Sequence, residues 1–564
     1  MHMKMTGAQV VVNCLIEQGV DTVFGFPGGA VLNIYDALYE YQSRIRHILT
    51  CHEQGAAHAA DGYARSTGRT GVVIATSGPG ATNLVTGIAT AYMDSVPMVA
   101  ITGNVNVGLL GRDSFQEVDI TGITAPVTKH NFIVKHAEEL APTLRRAFAI
   151  ANSDRPGPVL IDIPKDITAA QIDYTPETPK PDVETNTPLP DLGEALDLLT
   201  QSQRPFIFAG GGAVASGACD TLAAFAEKID APVALSLMGL GSFLPESPRF
   251  TGMLGMHGSK ASSYAVENCD LFIALGTRFS DRVLCHTDSF AKNAKILQID
   301  IDPAEINKNI PVFASVAGDL GTILTALLRQ LPDRISHTEW MKNVQAIKAN
   351  YPIDRPLDGD TMPYAVLSTL HDLAPDAIVT TEVGQHQMWA GQYFHFTRPR
   401  HFLTSGGLGT MGFGLGAAIG AQVAHPGEHV INVAGDGSFF MNLNELATAV
   451  TYDLPVIELI MNNGVLGMVH QWQQFFYKEH YSHSVLDRQT DLSALARAFG
   501  ALPFTIARPA DIRPVLSESL QSGRPCVINC LIDPGENVLP MVPAGKPVGD
   551  PILSLEKGGG NETH

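Results

Sequence analysis

Apolar runs of strand length recur along this chain, and between them apolar residues return at helical spacing. The runs at 71–76, 98–102, 159–163, 206–209, 271–275, 296–301, 377–381, 430–434, 456–461 and 526–532 are nearly continuous, with little polar alternation. A strand covered on both faces carries that pattern. Strands that alternate with helical stretches predict parallel sheets with helices on both faces, so the expected class is α/β with doubly wound sheets. Two stretches break the alternation. Residues 173–190 are proline-rich with almost no large apolar side chains, and read as an extended linker. Residues 334–362 form a second break, with one short helix expected at 339–349. The expected division is therefore 1–172, 191–333 and 363–564, joined by those two linkers.

The run at 430–434 ends in Gly435-Asp436-Gly437, and the run at 456–461 ends in Asn462-Asn463. A helical stretch at 444–450 separates them, so the segment reads as strand, turn, helix, turn, strand. A parallel crossover brings both strand ends to one edge of the sheet. Asp436 and Asn463 would then stand side by side in the crevice where open α/β sheets bind ligands. One carboxylate and one amide oxygen suit Mg²⁺, which keeps waters and completes its shell with phosphate oxygens. Gly437 would let the backbone approach a diphosphate. Alone, the tripeptide is equally compatible with an ordinary turn; its strand context and the Asn-Asn partner favour a metal–diphosphate site.

Composition narrows the picture. A chain of 564 residues is too long for one core. The 45% hydrophobic and 17% charged content fits a folded protein with buried sheets. A net charge of −20 argues against a nucleic-acid or anionic-membrane surface. The seven cysteines are scattered without a zinc set and read as reduced thiols. No signal-peptide core or 18-residue apolar span is visible, so a soluble, cytoplasmic protein is expected.

The first and last blocks echo each other. Pro97 lies 20 positions after Ser77 of Ser77-Gly-Pro-Gly, and Pro455 lies 20 positions after Gly435 of the GDG motif. This spacing suggests two related α/β domains, of which only the later carries the metal carboxylate.

GDG with a distant Asn-Asn, preceded by a domain containing His52-Glu53, resembles the thiamine diphosphate enzymes. The segments FGFPGGAVLNIYDAL, CHEQGAAHAADGYAR, DSFQEVDITGITAPVTKH, RPGPVLIDIPKD, GTRFSDR, EVGQHQMW, LTSGGLGTMGFGLGAAIG and NNGVLGMVHQWQ narrow the resemblance to the acetohydroxyacid (acetolactate) synthase catalytic subunits. The resemblance implies three domains: a pyrimidine-binding domain, a central FAD-binding domain and a diphosphate/Mg²⁺ domain. It implies decarboxylation of pyruvate and condensation with a second 2-oxoacid, pyruvate or 2-oxobutanoate, in branched-chain amino-acid biosynthesis. A homodimer or homotetramer, with a small regulatory subunit as a further partner, is also implied.

Residue by residue, the resemblance gives Glu53 the proton relay to the cofactor's aminopyrimidine ring. A glutamate near a helix start would otherwise read as a solvent-facing partner of the helix dipole. Asp436, Asn463 and the Val465 carbonyl match the Mg²⁺ ligands. Gln385, His386, Gly409, Met411, Gly437, Ser438 and Met441 match cofactor contacts. Gly29, Phe115, Gln116 and Lys165 match the substrate-side pocket from a neighbouring subunit, and Arg282, Met468 and Trp472 complete that pocket. Lys165 and Arg282 suit a 2-oxoacid carboxylate, and Trp472 matches the side chain that favours 2-oxobutanoate. For FAD the matching positions are Arg155, Gly210, Gly211, Gly212, Leu254, His257, Gly276, Arg278, Asp300, Ile301 and Asp319. Four positions depart from the family: Asn33 and Asn106 stand where proline is usual, and Ser280 and Glu382 stand where aspartate is usual. A pyruvate oxidase is the nearest alternative activity.

Overall fold

A computed structural model describes residues 3–178, 189–333, 335–352, 355–356 and 359–554. It contains three six-stranded, wholly parallel sheets. In the amino-terminal sheet the order is Arg46–Leu49, Thr22–Phe26, Gly71–Ala75, Met98–Asn104, Pro158–Pro164 and His130–Ile133. The central sheet runs Phe250–Met253, Val233–Leu235, Pro205–Ala209, Leu271–Leu275, Lys295–Asp300 and Ala314–Ala317. The carboxyl-terminal sheet runs Phe402–Leu403, Ile378–Thr381, Val430–Gly435, Ile457–Asn462, Cys526–Leu531 and Leu502–Ile506. The α/β expectation and each predicted central strand are therefore met, because strands buried on both faces must be continuously apolar.

Counted within each domain, the amino- and carboxyl-terminal sheets have the same order, 2-1-3-4-6-5, while the central sheet is 3-2-1-4-5-6. The central order reverses direction once and the other order twice, and ligands bind outside the strand ends at such reversals. The two like-ordered domains meet through the helices Glu53–Thr67 and Gly414–Ala424. A Cβ on Gly62 would lie 2.2 Å from the Ala417 carbonyl oxygen, and one on Gly420 would lie 1.9 Å from that of Ala59. Only glycine permits this backbone-to-backbone approach.

Three local expectations change. The GDG motif is no free turn: helix starts at Asp436 itself, runs to Asn442, and resumes as Glu445–Thr451. Residues 173–174 of the proposed first linker belong to the strand Gln171–Tyr174, which pairs antiparallel with Met3–Thr6 and buries Tyr174; positions 179–188 of that linker lie outside the described residues. In the second break, helix Thr338–Asn350 packs on helix Lys260–Asn268. It buries Trp340, whose indole N–H donates to the Pro205 carbonyl at 2.9 Å. That stretch is part of the central layer, not a spacer. All seven cysteines are unpaired. No helix among the described residues is long and apolar enough to cross a membrane.

Candidate active site

At the carboxyl edge of the third sheet, four loops converge. Gln385 lies past the first strand, Gly409 and Met411 past the second, Asp436 past the third, and Asn463, Val465, Met468 and Trp472 past the fourth. Asn463 donates from Nδ2 to Gln385 Oε1 at 3.1 Å, and its own Oδ1 accepts the Val465 N–H at 3.2 Å. Gln385 in turn donates to Gln471 Oε1 and to the Glu536 carbonyl, both at 2.9 Å. Asp436 is buried, and its Oδ1 has no hydrogen-bond partner. Burial pushes its carboxyl up to about 6, although Arg488 and the Asn463 and Gly437 backbone favour the anion. A buried carboxylate oxygen with no partner is costly. A divalent cation there would satisfy it. Among the described residues no cluster of three or more His, Cys, Asp or Glu forms a metal site; one carboxylate with amide and carbonyl oxygens leaves room for phosphate and water, as Mg²⁺ prefers.

Around this centre Ser438 Oγ lies 3.2 Å from the Gly435 N–H it accepts and donates to the Gly435 carbonyl at 3.1 Å. A Cβ on Gly437 would meet Leu466 Cδ2 at 2.7 Å, so the packing here favours glycine. His386 is buried with Nε2 unpartnered, and burial lowers its pKa to about 3, leaving the ring neutral. Met441 is 57% exposed, so it packs into no core of this chain. Trp472 is half-buried, with Phe476 edge-on at 5.5 Å and the Arg282 guanidinium over its ring at 5.8 Å.

The first sheet presents its own set at the corresponding edge. Gly29 follows the first strand, Glu53 the second, Gln116 and Phe115 the fourth, and Lys165 the sixth. His52 caps the helix that Glu53 opens, accepting the Gln54 N–H at Nδ1. The Glu53 carboxylate accepts from Asn83 Nδ2 at 2.9 Å. Gln116, with φ of 57°, lies against Gly78, where a Cβ would come within 3.0 Å of its backbone. Phe115 is 87% exposed. Asp166 accepts the Val107 N–H, and Asn33 Nδ2 donates to Thr168 Oγ1 at 2.9 Å, so both neighbours of the Lys165 helix are tied.

In the central sheet Gly210, Gly211 and Gly212 open the helix after the first strand, and Gly276 follows the fourth. These loops touch at the point of reversal: a Cβ on Gly212 would sit 2.6 Å from the Gly276 Cα. Leu254 is buried, and His257 Nδ1 donates to the Pro540 carbonyl at 3.2 Å, with the ring's pKa lowered by burial to about 4. Other expected residues are already engaged. Arg155 pairs with Glu305 at 2.7 Å and Asp302 at 3.3 Å, Arg278 lies 3.9 Å from Asp94, and Asp319 caps its own helix through Thr322. Asp300 is buried and accepts the Asp302 N–H, whereas Ile301 is 40% exposed.

Comparison with known proteins joins these edges. Residues 5–123 match the thiamine pyrophosphate enzyme N-terminal TPP binding domain, 192–327 the central domain and 382–530 the C-terminal TPP binding domain. The acetolactate synthase large subunit of Parasynechococcus marenigrum (strain WH8102) is 48% identical over 96% of this chain and 90% of its own length. The acetolactate synthase isozyme 2 large subunit of Escherichia coli (strain K12) is 46% identical over 96% and 98%. A probable acetolactate synthase large subunit of Methanocaldococcus jannaschii is 46% identical over 96% and 94%. The chain belongs to the acetolactate synthase large-subunit family.

Within that family, the four departures take definite places. Asn33 bonds the Lys165 helix, and Asn106 is exposed at the start of a short 3-10 turn. Ser280 precedes the helix Asp281–Leu284 without capping it through its side chain. Glu382 is buried and accepts the N–H groups of Gly412 and Gly414 at 2.5 and 2.9 Å, capping the Gly414–Ala424 helix. Burial raises its carboxyl to about 7 against those bonds. Sequence reasoning missed Glu382 as a cap, Asn83 as the Glu53 partner, and Arg488, which donates to the Asp436 carbonyl at 3.1 Å. The only sequence signal was the unusual glutamate at 382.

Proposed function

We propose that this member of the acetolactate synthase large-subunit family condenses pyruvate with a second 2-oxoacid, pyruvate or 2-oxobutanoate, with loss of CO₂. The observation that carries this reading is the unpartnered Asp436 oxygen beside Asn463 at the sheet edge, within a chain that matches thiamine pyrophosphate enzyme domains. Asp436, Asn463 and the Val465 carbonyl would hold Mg²⁺. Bound thiamine diphosphate supplies the carbon nucleophile and the electron sink for decarboxylation. The chain's residues bind and orient around it: Gln385, Gly409, Met411 and Ser438 border the diphosphate edge, and Glu53 exchanges a proton with the ring nitrogen. Lys165 and Arg282 would draw the substrate carboxylates, and Trp472 would form one wall for the second oxoacid.

The site reading extends to an assembly. Glu53 and Asp436 lie at the edges of two different sheets, and both edges carry exposed apolar groups: Phe115, Phe26, Leu408 and Met441. A homodimer or homotetramer in which one subunit's Glu53 edge covers another's Asp436 edge would bury them. The relatives are named large subunits, which supports a small regulatory partner. The 3-2-1-4-5-6 order of the central sheet, with Gly210–Gly212 and Gly276 at its reversal, supports FAD. The first domain would then run on through Tyr174 and the central domain through Asn350, with the third from 363 to 564, and a cytoplasmic location fits.

Turnover of pyruvate alone, with thiamine diphosphate and Mg²⁺, should yield acetolactate and CO₂. Acetate or peroxide as the main product would favour a pyruvate oxidase. The purified protein should be yellow; full activity of a colourless protein without added FAD would refute the central-domain reading.

A further inference from the structure

The same two like-ordered domains clamp each other through a pair of carboxylates. Glu445, fully buried on the broken helix after the third strand of the carboxyl-terminal sheet, reaches into the amino-terminal domain. Its Oε2 accepts the Cys51 N–H at 3.1 Å and its Oε1 the His52 N–H at 2.9 Å. Thr448 Oγ1 and Asn444 Nδ2 also donate to it, at 2.7 and 3.1 Å. Asp94, at the end of the corresponding broken helix of the amino-terminal domain, does the converse. Its side chain accepts the Gly406 N–H at 3.1 Å and the Gly407 N–H at 2.7 Å. Each carboxylate thus takes two consecutive amides from the loop that follows the second strand of the other sheet. One loop leads directly into Glu53, and the other into Gly409 and Met411.

We infer that Glu445 and Asp94 are reciprocal positioning residues: Glu445 fixes the loop that aims Glu53, and Asp94 fixes the loop that presents Gly409 and Met411. The functional half of this inference rests on the role proposed above for Glu53. Glu445 gives Glu53 no direct bond. It acts by holding Cys51 and His52, and His52 is the residue whose side chain caps the helix Glu53 opens. Four donors converge on Glu445, which only an acceptor-only carboxylate can satisfy together. An amide at this position turns a donor toward either the Cys51 and Thr448 pair or the His52 and Asn444 pair. The carboxylate packs directly on the first turn of the Glu53 helix, where a Cβ on Gly55 would sit 2.3 Å from Glu445 Oε1. At Asp94 the same argument applies, with Arg65 Nη2 at 3.0 Å as the third donor.

Hydrogen–deuterium exchange on the full-length, cofactor-free chain tests this without relying on turnover. Glu445→Gln should raise exchange at the Cys51 and His52 amides about tenfold while Gly406 and Gly407 keep the parental rate; Asp94→Asn should do the reverse. With thiamine diphosphate and Mg²⁺, Glu445→Gln should lower kcat about tenfold and leave the Mg²⁺ titration unchanged, because Asp436 is untouched. Unchanged exchange at 51 and 52, or a uniform rise across both domains, would overturn the clamp, whatever the activity. A normal kcat alongside locally raised exchange would overturn the positioning role. Near-normal turnover of Glu53→Gln would instead break the underlying reading of Glu53 and leave the exchange result standing. Should Glu445→Gln not fold, Thr448→Val removes only one of the four donors and should raise exchange at the same two amides about threefold.

Discussion

The amino- and carboxyl-terminal sheets share one strand order, and each follows its third strand with a helix broken in two, Pro79–Asn83 then Val85–Met93, and Asp436–Asn442 then Glu445–Thr451. The chemistry at the two edges nevertheless differs. Glu53 is half-buried, and Asn83 donates to one of its oxygens. Asp436 is buried with one oxygen unpartnered and its pKa raised by burial. On the proposed reading, one edge would hold a proton near a ring and the other would receive a cation. A common scaffold sets where loops gather; single residues at loop starts decide what they bind.

The largest expected effect separates those two carboxylates. Glu53→Gln keeps the hydrogen-bonding shape and removes the ionisable group, so turnover should fall about 10²–10⁴-fold, with Mg²⁺-dependent thiamine diphosphate binding retained. Asp436→Ala should lose that binding as well. Calorimetric titration beside steady-state rates distinguishes them; equal loss of binding in both variants would erase the contrast between the edges.

If the two edges meet only between subunits, each inactive variant carries one intact edge. Mixing Glu53→Gln with Asp436→Ala chains should restore activity to about a quarter of the parental level in a random two-fold assembly. Subunit exchange must be followed in parallel, for instance with a mass-tagged chain. Demonstrated exchange with no recovery would place both carboxylates of a site on one chain.

How far the sequence foretold this follows from the physics of each feature. Both-face burial makes central parallel strands continuously apolar, so those strands were legible, and the 20-residue echo between Ser77–Pro97 and Gly435–Pro455 marks equivalent positions in two sheets of identical order. The helix at Asp436 was not legible: Gly437, Ser438 and Asn442 are weak helix formers, and the segment is held by burial of Phe439 and by Asp436 at the favourable end of the dipole. The clamps were invisible because Glu445 lies 393 positions from His52, and nothing local records such a partner. Glu53, Asp436 and Asn463 stood out by motif, yet the unpartnered Asp436 oxygen emerged only from packing.

A smaller effect sharpens the substrate side of the carboxyl-terminal edge. Trp472 is half-buried beneath Arg282, so its ring is available to a ligand. One methylene in an apolar pocket changes selectivity about 10–200-fold. Trp472→Leu should therefore lower the preference for 2-oxobutanoate over pyruvate within that range, while acetolactate formation from pyruvate alone is largely kept. Competition between the two oxoacids, read with the melting temperature, decides it; both products falling together with stability would mark a packing residue.

The smallest effect concerns stability, and it belongs to the carboxyl-terminal sheet itself. Glu458, on the strand Ile457–Asn462, is fully buried and accepts both Nδ2 contacts of Asn432, at 3.0 and 2.9 Å, while Thr380 donates to Asn432 Oδ1 at 3.0 Å. Burial holds its pKa well above the usual carboxyl range against the Asn432 bonds, and the nearby Glu382 carboxyl adds to the rise. A carboxyl whose folded pKa exceeds its unfolded value binds more protons when folded, so stability falls as pH climbs from the unfolded pKa toward the folded one. Glu458→Gln removes that slope. At low pH the variant should be less stable by about 1 kcal/mol, since an amide matches the Asn432 donors less well. As pH rises from about 5 to about 8 the gap should close and then reverse. Melting curves of the cofactor-free protein and the variant across that range measure the difference, and parallel curves would show that Glu458 is ionised in the folded chain just as in the unfolded one.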